Sequence, residues 1–283
     1  MTLAIERLRT LRRQAGQGAA SPVASPATTA MPVRPAAQTV DDLRRLLRVR
    51  APERVAQAHI AADRALPGVE IAPGLRLIET RFPREPVPHA FCAAFDRRDA
   101  PIATSDLLFF DTETTGLAGG TGTRAFMIGA AQWCAAGLHL RQWLITTLSA
   151  ERDLLAAFAG AVSPDAVLVS YNGKSYDAPL LATRYRLARM TNPLAGRDHV
   201  DLLYPTRRRW RGRWENCRLA TIERRALGIV REDDLPGSEA PAAWLGYLRG
   251  GSARNLRRVA DHNRQDLVSL SVLLATLAGE RSG

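Results

Sequence analysis

The chain is nearly devoid of lysine: Lys174 is its only one, and arginine supplies the rest of its positive charge. The formal net charge is nevertheless +11 at pH 7, with an isoelectric point near 10.7. Clustered cations attract phosphate and release its counterions, so this excess favours a polyanionic partner. A GC-rich genome produces the same bias toward arginine. Where the arginines cluster therefore matters more than how many there are.

Cysteine is also scarce. The three cysteines, Cys92, Cys134 and Cys217, form no CxxC pair, so the sequence suggests neither a zinc site nor a disulfide framework. A reducing cytoplasm suits such a chain. No apolar run approaches the length that spans a bilayer, and residues 1–14 carry charges among their apolar positions, unlike a signal peptide. We predict a soluble, cytoplasmic protein.

The first hundred residues are predicted to form N-terminal segments that precede the main domain. Residues 2–13 have the pattern of a short basic helix, and residues 14–40 are rich in Ala, Pro, Ser and Thr, a composition typical of a partly disordered linker. A helix is predicted near 40–48. Prolines from 67 to 101 favour short strands and turns. The predicted division is a short basic helix and flexible linker at 1–38, an N-terminal extension packing on the core at 39–102, and a main domain at 103–279.

The main domain has an α/β pattern. The apolar run DLLFFD, residues 106–111, is typical of a strand buried on both faces, and it ends in an acid. Three strands in succession, followed by alternating helix and strand, are the order of elements expected of an α/β domain. The further predicted strands are 124–133, 138–148 and 166–170, and the predicted helices are 151–162, 177–189, 218–227 and 254–278.

Two acids stand at the end of the first of these strands. Asp111 and Glu113 are two residues apart, so their side chains should share one face while Thr112 faces away. Paired carboxylates repel each other, and a hard cation such as Mg²⁺ or Mn²⁺ relieves the repulsion. An ordinary acidic turn after a strand is the alternative.

Two later motifs place an acid beside a helical pattern. Asp177 should open a helix, where an anion is favoured but where Asp is also a common N-cap. Asp266 follows His262 by four residues within the last predicted helix, which puts both on one face. Each of these acids alone could be structural: Asp177 as an N-cap, and Asp266 with His262 as part of a solvated helix face. The presence of all four acids in this order is the more specific signal.

Together these motifs resemble the DEDD superfamily of exonucleases and RNase H-like enzymes, and within it the YprB-type RNase H-like family. The resemblance spans about residues 70–279. It is carried by FFDTETTGLAGGTGTRAF, VSYNGKSYDAPLL, DLLYPTRRRW, NCRLATIE, LGIVREDDLPGSEAP and HNRQDLVSL.

The resemblance implies an RNase H-like mixed five-stranded sheet flanked by helices, and a nuclease that uses two Mg²⁺ or Mn²⁺ ions, bound by Asp111, Glu113, Asp177 and Asp266. It implies cleavage of single-stranded DNA or RNA, of the 3′→5′ exonuclease type. His262 is the expected helper that orients or deprotonates the attacking water. Better-known members have Tyr four positions before the last Asp or His five before it. On a helix, a residue four positions before Asp266 lies about 40° away from it around the axis, and a residue five positions before lies about 140° away. This favours His262 over Asp261 as the helper.

Residues 207–214 interleave arginines with two tryptophans, and guanidinium groups pair with phosphates while indoles stack on unpaired bases. A solubilising run, or tryptophans packed in the core, would give the same pattern. Acidic residues 232–234 look like a surface loop. The predicted nucleic-acid contacts are Thr114, Asn172, Lys174, Tyr176, Arg207, Arg208, Arg209, Trp210, Trp214 and Arg218.

The glycine-rich stretch from Gly116 to Gly122 lies beside the first two acids, and we interpret it as a loop that lets a substrate backbone approach closely. A plain flexible hairpin is the alternative. Two other functions remain open for the whole chain: a noncatalytic nucleic-acid-binding module that has lost turnover, and an interaction protein whose N-terminal segments recruit a partner.

Overall fold

The computed structural model describes residues 63–83, 87–116 and 121–279. Contacts divide the chain into two units, Met1–Gln57 and Ala58–Gly283, and every described residue belongs to the second. The predicted helices at 2–13 and 40–48 and the predicted linker lie outside the described residues. Among the helices that are described, none is long and apolar enough to cross a membrane.

A seven-stranded mixed sheet forms the centre of the fold. Its strands are β1 (Val69–Ala72), β2 (Leu75–Phe82), β5 (Leu107–Thr114), β6 (Ala125–Cys134), β7 (Gly137–Ile145), β8 (Val167–Ser170) and β9 (His199–Asp201). They lie in the order β1-β2-β7-β6-β5-β8-β9. Neighbours from β1 to β5 run antiparallel, whereas β8 and β9 continue the sheet parallel to β5. A separate two-stranded ribbon pairs β3 (Ala90–Phe91) with β4 (Ile102–Ala103).

The four strands predicted at 106–111, 124–133, 138–148 and 166–170 are present as β5, β6, β7 and β8, with every end within three residues of the prediction. The fifth strand that the resemblance implies is β9, which no sequence pattern predicts. The sheet has seven strands rather than five because residues 69–82 of the predicted extension add β1 and β2 beside β7. This agrees with the short strands expected in that proline-rich region. Where the main domain begins remains a prediction.

Helices cover both faces of the sheet. They are α1 (Glu151–Ala159), α2 (Asp177–Leu187), α3 (Leu203–Trp210), α4 (Leu219–Ile222), α5 (Ala240–Leu248) and α6 (Arg254–Gly279). A π-helical turn, Glu223–Leu227, continues α4, so the helix predicted at 218–227 changes its hydrogen bonding halfway.

Strand β5 is buried on both faces, as its apolar run predicts. Leu108 and Phe110 join the core beneath α1 and α2, while Leu107 and Phe109 join the core beneath the second half of α6. Alternate residues of a strand point to opposite faces, so a continuous apolar run is what a central strand needs. The end of β5 is thereby fixed in place, and its acids with it.

Close approach of α6 to the sheet depends on Gly129 in β6. A Cβ atom at this position would lie 2.2 Å from Asn263 Oδ1 and 2.7 Å from a methyl carbon of Leu267. Both contacts are far below van der Waals distance, so only glycine lets α6 lie this close to β6.

We therefore predict that Gly129→Ala destabilises the protein by about 1–3 kcal/mol, the usual cost of overpacking a core. Gly246→Ala, in α5, is the matched control, because nothing lies within 4 Å of the added methyl group. It should stabilise by up to about 1 kcal/mol, because alanine has the higher helix propensity. Denaturant unfolding of both variants measures the difference, and equal stabilities would contradict the packing described.

Candidate active site

Four acidic side chains from three elements come together at the end of β5. Asp111 and Glu113 lie on β5, Asp177 is the first residue of α2, and Asp266 lies in α6. Glu113 is only 6% exposed and the other three are partly buried. The structure thus brings together the four acids that the resemblance groups in one site.

Two buried amides hold Asp111. Asn263 Nδ2 donates to Asp111 Oδ2 at 2.8 Å, and Gln142 Nε2 donates to Asn263 Oδ1 at 2.9 Å. Gln142 also reaches the carbonyl oxygen of Ala260 at 2.7 Å. Since both amides are buried, water does not compete for these bonds, and they fix the carboxylate of Asp111 in one orientation.

Asp177 is held by Thr112, a residue that the motifs do not assign to the site. Thr112 points away from the face that Asp111 and Glu113 share, as predicted. It does not point away from the acids, because its hydroxyl donates to Asp177 Oδ1. Because side chains alternate along β5, Asp111 and Glu113 lie on one face of the strand. Thr112, which donates to Asp177 at the start of α2, lies on the other face.

The loop between β8 and α2 is shaped by Asp201. This fully buried carboxylate accepts from the backbone N–H of Asn172 at 2.7 Å, of Lys174 at 3.1 Å and of Leu203 at 3.1 Å. Asn172 has a left-handed backbone, with φ of 67°, which asparagine tolerates better than most residues. Asp201 thereby sets the turn from which Asp177 enters the site.

Asp266 forms an ion pair with Arg231. Arg231 Nη2 donates to Asp266 Oδ1, and the same guanidinium makes two bonds to Glu223, at 2.7 Å from Nε and 2.6 Å from Nη2. Glu223 is 1% exposed and also accepts from the hydroxyl of Ser269. The buried carboxylate of Glu223 therefore holds the guanidinium group of Arg231 beside Asp266.

His262 lies one helical turn before Asp266, as predicted. Its Nδ1 is 2.7 Å from Asp234 Oδ1, and its Nε2 is 3.6 Å from Asp266 Oδ2. Arg231 Nη1 is 3.2 Å from the same Nδ1, but a guanidinium only donates and a carboxylate only accepts, so we assign Nδ1 a proton shared with Asp234. Nε2 is then the nitrogen free to accept a proton. Asp234 is part of this site, which corrects the interpretation of residues 232–234 as merely a surface loop.

Lost hydration is the main cause that raises the pKa of each of the four acids. Repulsion from Asp266, Asp177 and Glu113 raises the pKa of Asp111 further, and the bond from Asn263 opposes this. Repulsion from Asp266 and Asp177 raises the pKa of Glu113 in the same way. Burial raises the pKa of Asp177 to about 6, against the bond from Thr112. Arg231 and His262 oppose the rise at Asp266.

The donor set suits a hard divalent cation, because burial raises the pKa of all four carboxylates and a positive charge among them would stabilise their ionised forms. Their present orientation does not form a ready-made ion cage. In the part of the chain that the structure describes, no group of three or more His, Cys, Asp or Glu side chains is arranged to hold a metal ion. The oxygens are turned instead toward hydrogen-bond partners in the protein, among them Asn263, Thr112 and Arg231.

The predicted nucleic-acid contacts separate into three groups. Thr114, Asn172 and Tyr176 line a cleft of about 640 Å³ together with Asp111 and Asp177. Lys174 is exposed on the same loop, and Gly116 borders this cleft, whereas Gly119 and Gly120 lie outside the described residues. Arg207, Trp214 and Arg218 line a second cleft.

The third group, Trp210, Arg209 and Arg208, contacts other parts of the protein. Trp210 is 4% exposed and belongs to the core, so its ring is not open to a base, which corrects the expectation from the sequence. Arg209 lies over the ring of Trp210 at 5.6 Å. Arg208 donates to the carbonyl oxygen of Phe95 at 2.5 Å.

Besides Thr112, five residues that contact the acids or their partners are not identified by the motifs as parts of the site: Asn263, Asp201, Glu223, Arg231 and Asp234. All five lie within the quoted motifs, but no spacing rule shows which residue each would contact. No periodic pattern marks Glu223 as buried, because Arg224 and Arg225 follow it directly in the sequence.

A mixed sheet whose central strand ends in a cluster of carboxylates, with helices on both faces, defines an RNase H-like α/β protein. The chain belongs to the RNase_H superfamily, whose family model matches residues 108–278. It is 37% identical over 167 residues to a Bacillus subtilis (strain 168) protein named uncharacterized protein YprB, which confirms the resemblance in the motifs. The match covers 59% of this chain and 40% of that relative.

Solved structures are similar at low identity. A family B DNA polymerase from the archaeon Pyrobaculum calidifontis has a TM-score of 0.48 at 17% identity, over 60% of this chain and 24% of the polymerase. Exonuclease I of E. coli, in complex with a dT13 oligonucleotide, has a TM-score of 0.35 at 18% identity, over 58% of this chain and 45% of the exonuclease.

The ion pair between Arg231 and Glu223 gives a prediction about stability. Arg231→Met leaves the buried Glu223 carboxylate without its cation and should destabilise the protein by about 3–5 kcal/mol. Adding Glu223→Gln removes the stranded charge and should recover part of this loss. Denaturant unfolding of both single variants and the double variant gives the coupling energy, expected at about 1–3 kcal/mol. Strictly additive effects would contradict the pairing.

Proposed function

We propose that the chain is a nuclease that depends on two Mg²⁺ or Mn²⁺ ions and hydrolyses phosphodiester bonds of single-stranded DNA or RNA, as a 3′→5′ exonuclease. The observation that carries the proposal is the convergence of Asp111, Glu113, Asp177 and Asp266 at the end of β5, where burial raises the pKa of each. Membership of the RNase_H superfamily supports it.

These four acids are the residues that would hold the metal ions. When bound, two divalent ions in such a site activate a water and stabilise the leaving oxygen of the phosphodiester. The chain's contribution is to hold the carboxylates in place: Asn263 orients Asp111, Thr112 orients Asp177, and Arg231 orients Asp266. Arg231 is thus a positioning residue, because its anchor on Glu223 keeps it beside Asp266.

His262 completes the proposed mechanism as the proton acceptor. A bond forms between the water oxygen and phosphorus, the phosphorus–O3′ bond breaks, and the water proton passes to Nε2 of His262. Asp234 keeps the other ring proton on Nδ1, so that Nε2 presents a lone pair, as a carboxylate does for the histidine of many hydrolases. The leaving O3′ takes its proton from solvent.

A noncatalytic nucleic-acid-binding module is the second candidate, and one observation favours it. Arg231 is already bonded to Asp266, so a built-in cation satisfies one of the four acids. Under this alternative the chain would bind nucleic acid equally well in EDTA and in Mn²⁺ and would release no product.

A cleavage assay tests the proposal. End-labelled single- and double-stranded DNA and RNA are incubated with the protein in Mg²⁺, Mn²⁺ or EDTA, and the products are resolved as a ladder. We expect mononucleotides to leave 3′ ends of single strands only with metal. Asp111→Asn should abolish cleavage, whereas Asp165→Asn, an exposed acid outside both clefts, should not. Cleavage by Asp111→Asn at the wild-type rate would overturn the assignment of the site.

His262 provides a separate prediction. His262→Ala should lower the single-turnover rate by about 10²–10⁴-fold, the usual range for a lost general acid or base. His262→Tyr should recover part of the rate, because a hydroxyl at this position can still hydrogen-bond the water. His139→Ala, which removes a histidine paired with Glu79 away from the acids, is the control. A large fall in thermal midpoint with an unchanged rate would show that His262 is structural only.

A further inference from the structure

A second cleft, of about 910 Å³, adjoins the cleft that contains the acids. Tyr171 and Asn172, which follow β8, line both clefts. The hydroxyl of Tyr171 donates to the carbonyl oxygen of Cys217 at 2.5 Å and so ties the wall of the second cleft to the loop that leads into Asp177. A chain molecule lying against Asp111 and Asp177 could therefore continue into the second cleft without crossing a wall of protein.

Three arginines line the second cleft: Arg207, Arg211 and Arg218. All three are exposed, and none of their guanidinium groups donates a hydrogen bond or forms an ion pair within the described residues. This sets them apart from Arg184, Arg231 and Arg258, which all bind acids or carbonyls of the protein. Three cations without protein partners around one concave surface are available to phosphate groups.

Trp214 faces the same cleft because of the turn that follows α3. The N–H of Arg213 donates to the carbonyl oxygen of Trp210 at 3.0 Å, and the backbone has φ −60° and ψ 128° at Arg211 and φ 81° at Gly212. These angles are those of a type II turn, whose third position favours glycine. The turn folds Trp214 back onto buried Trp210, with ring centroids 5.4 Å apart and an interplanar angle of 24°. Trp210 thus supports Trp214, which remains half-buried at the edge of the cleft.

The acid in this cleft does not cancel its positive charge. Glu215 is paired with Arg224 and lies 3.7 Å from Arg225, two arginines that do not line the cleft. The lining therefore keeps three cations without protein partners beside a supported indole ring. This is the combination that binds unpaired nucleotides: phosphates to guanidinium groups and a base to the aromatic face.

We propose that the second cleft binds the part of a single-stranded DNA or RNA that extends beyond the acid cleft. Arg207, Arg211 and Arg218 contact its phosphates, and a base stacks on Trp214. This inference rests on the proposed function only in taking the acid cleft as the place where the strand ends. A duplex does not fit this role, because its bases are already stacked and their faces are not open to Trp214.

Tryptophan fluorescence in EDTA tests the proposal without any need for catalysis. Of the five tryptophans, Trp133, Trp143, Trp210 and Trp244 are buried, so Trp214 is the one that a bound base can reach. Titration with oligo(dT) and with oligo(U) should quench the fluorescence saturably, and the two arms show whether DNA or RNA binds more tightly. Trp214→Phe, which keeps an aromatic ring against Trp210, should remove the quench. An equal quench in Trp214→Phe, or with polyphosphate in place of the oligonucleotides, would overturn the stacking.

The arginines are tested by the salt dependence of binding, measured by anisotropy of a labelled oligonucleotide in EDTA. Arg211→Ala/Arg218→Ala should reduce the slope of log affinity against log salt by about 1.4, since each contact with a single strand contributes about 0.7. Arg249→Ala/Arg254→Ala makes the same charge change at positions that line neither cleft and should leave the slope nearly unaltered. Equal slopes for both pairs would overturn the proposal. Binding through this cleft without cleavage would instead contradict only the proposed nuclease activity.

Discussion

Burial of four carboxylates beside one another is the constraint on which the rest of this structure depends. Asp111, Glu113, Asp177 and Asp266 lose hydration together, and that loss is the main reason that their pKa values rise. A group of acids so placed lowers the stability of the folded chain unless donors or cations compensate.

The compensation comes from residues that the fold brings in from elsewhere. Asn263 reaches Asp111 only because Gly129 lets α6 approach β6, and Arg231 reaches Asp266 only because Glu223 anchors it. Packing and electrostatics are therefore linked: the small residue in β6 and the buried carboxylate after α4 both determine how the acids are oriented. The same donors are the groups that a bound cation would have to compete with or work beside.

Much of the fold follows from local sequence patterns, whereas the set of four acids follows from the resemblance that the motifs carry together. The run 106–111 predicts a central strand because only a strand buried on both faces needs a continuous apolar sequence. The partners of the acids could not be predicted in this way. Arg231 and Asp234 lie in irregular chain, where no periodicity relates sequence spacing to distance. Likewise, the sequence does not distinguish Trp210 from Trp214. Only the turn at Gly212 places Trp210 in the core and stacks Trp214 on it at the edge of the second cleft.

Direct titration of Mn²⁺ tests most sharply whether the four acids form a cation site. Calorimetry on the wild-type chain should show saturable binding of two ions. Removing even an outer partner of a metal ligand costs about 10–100-fold in affinity, so Asp111→Asn should weaken binding by at least about tenfold. Asp165→Asn should bind as the wild type does. Mn²⁺ binding of equal affinity and stoichiometry in wild type and Asp111→Asn, or none in either, would contradict the metal site.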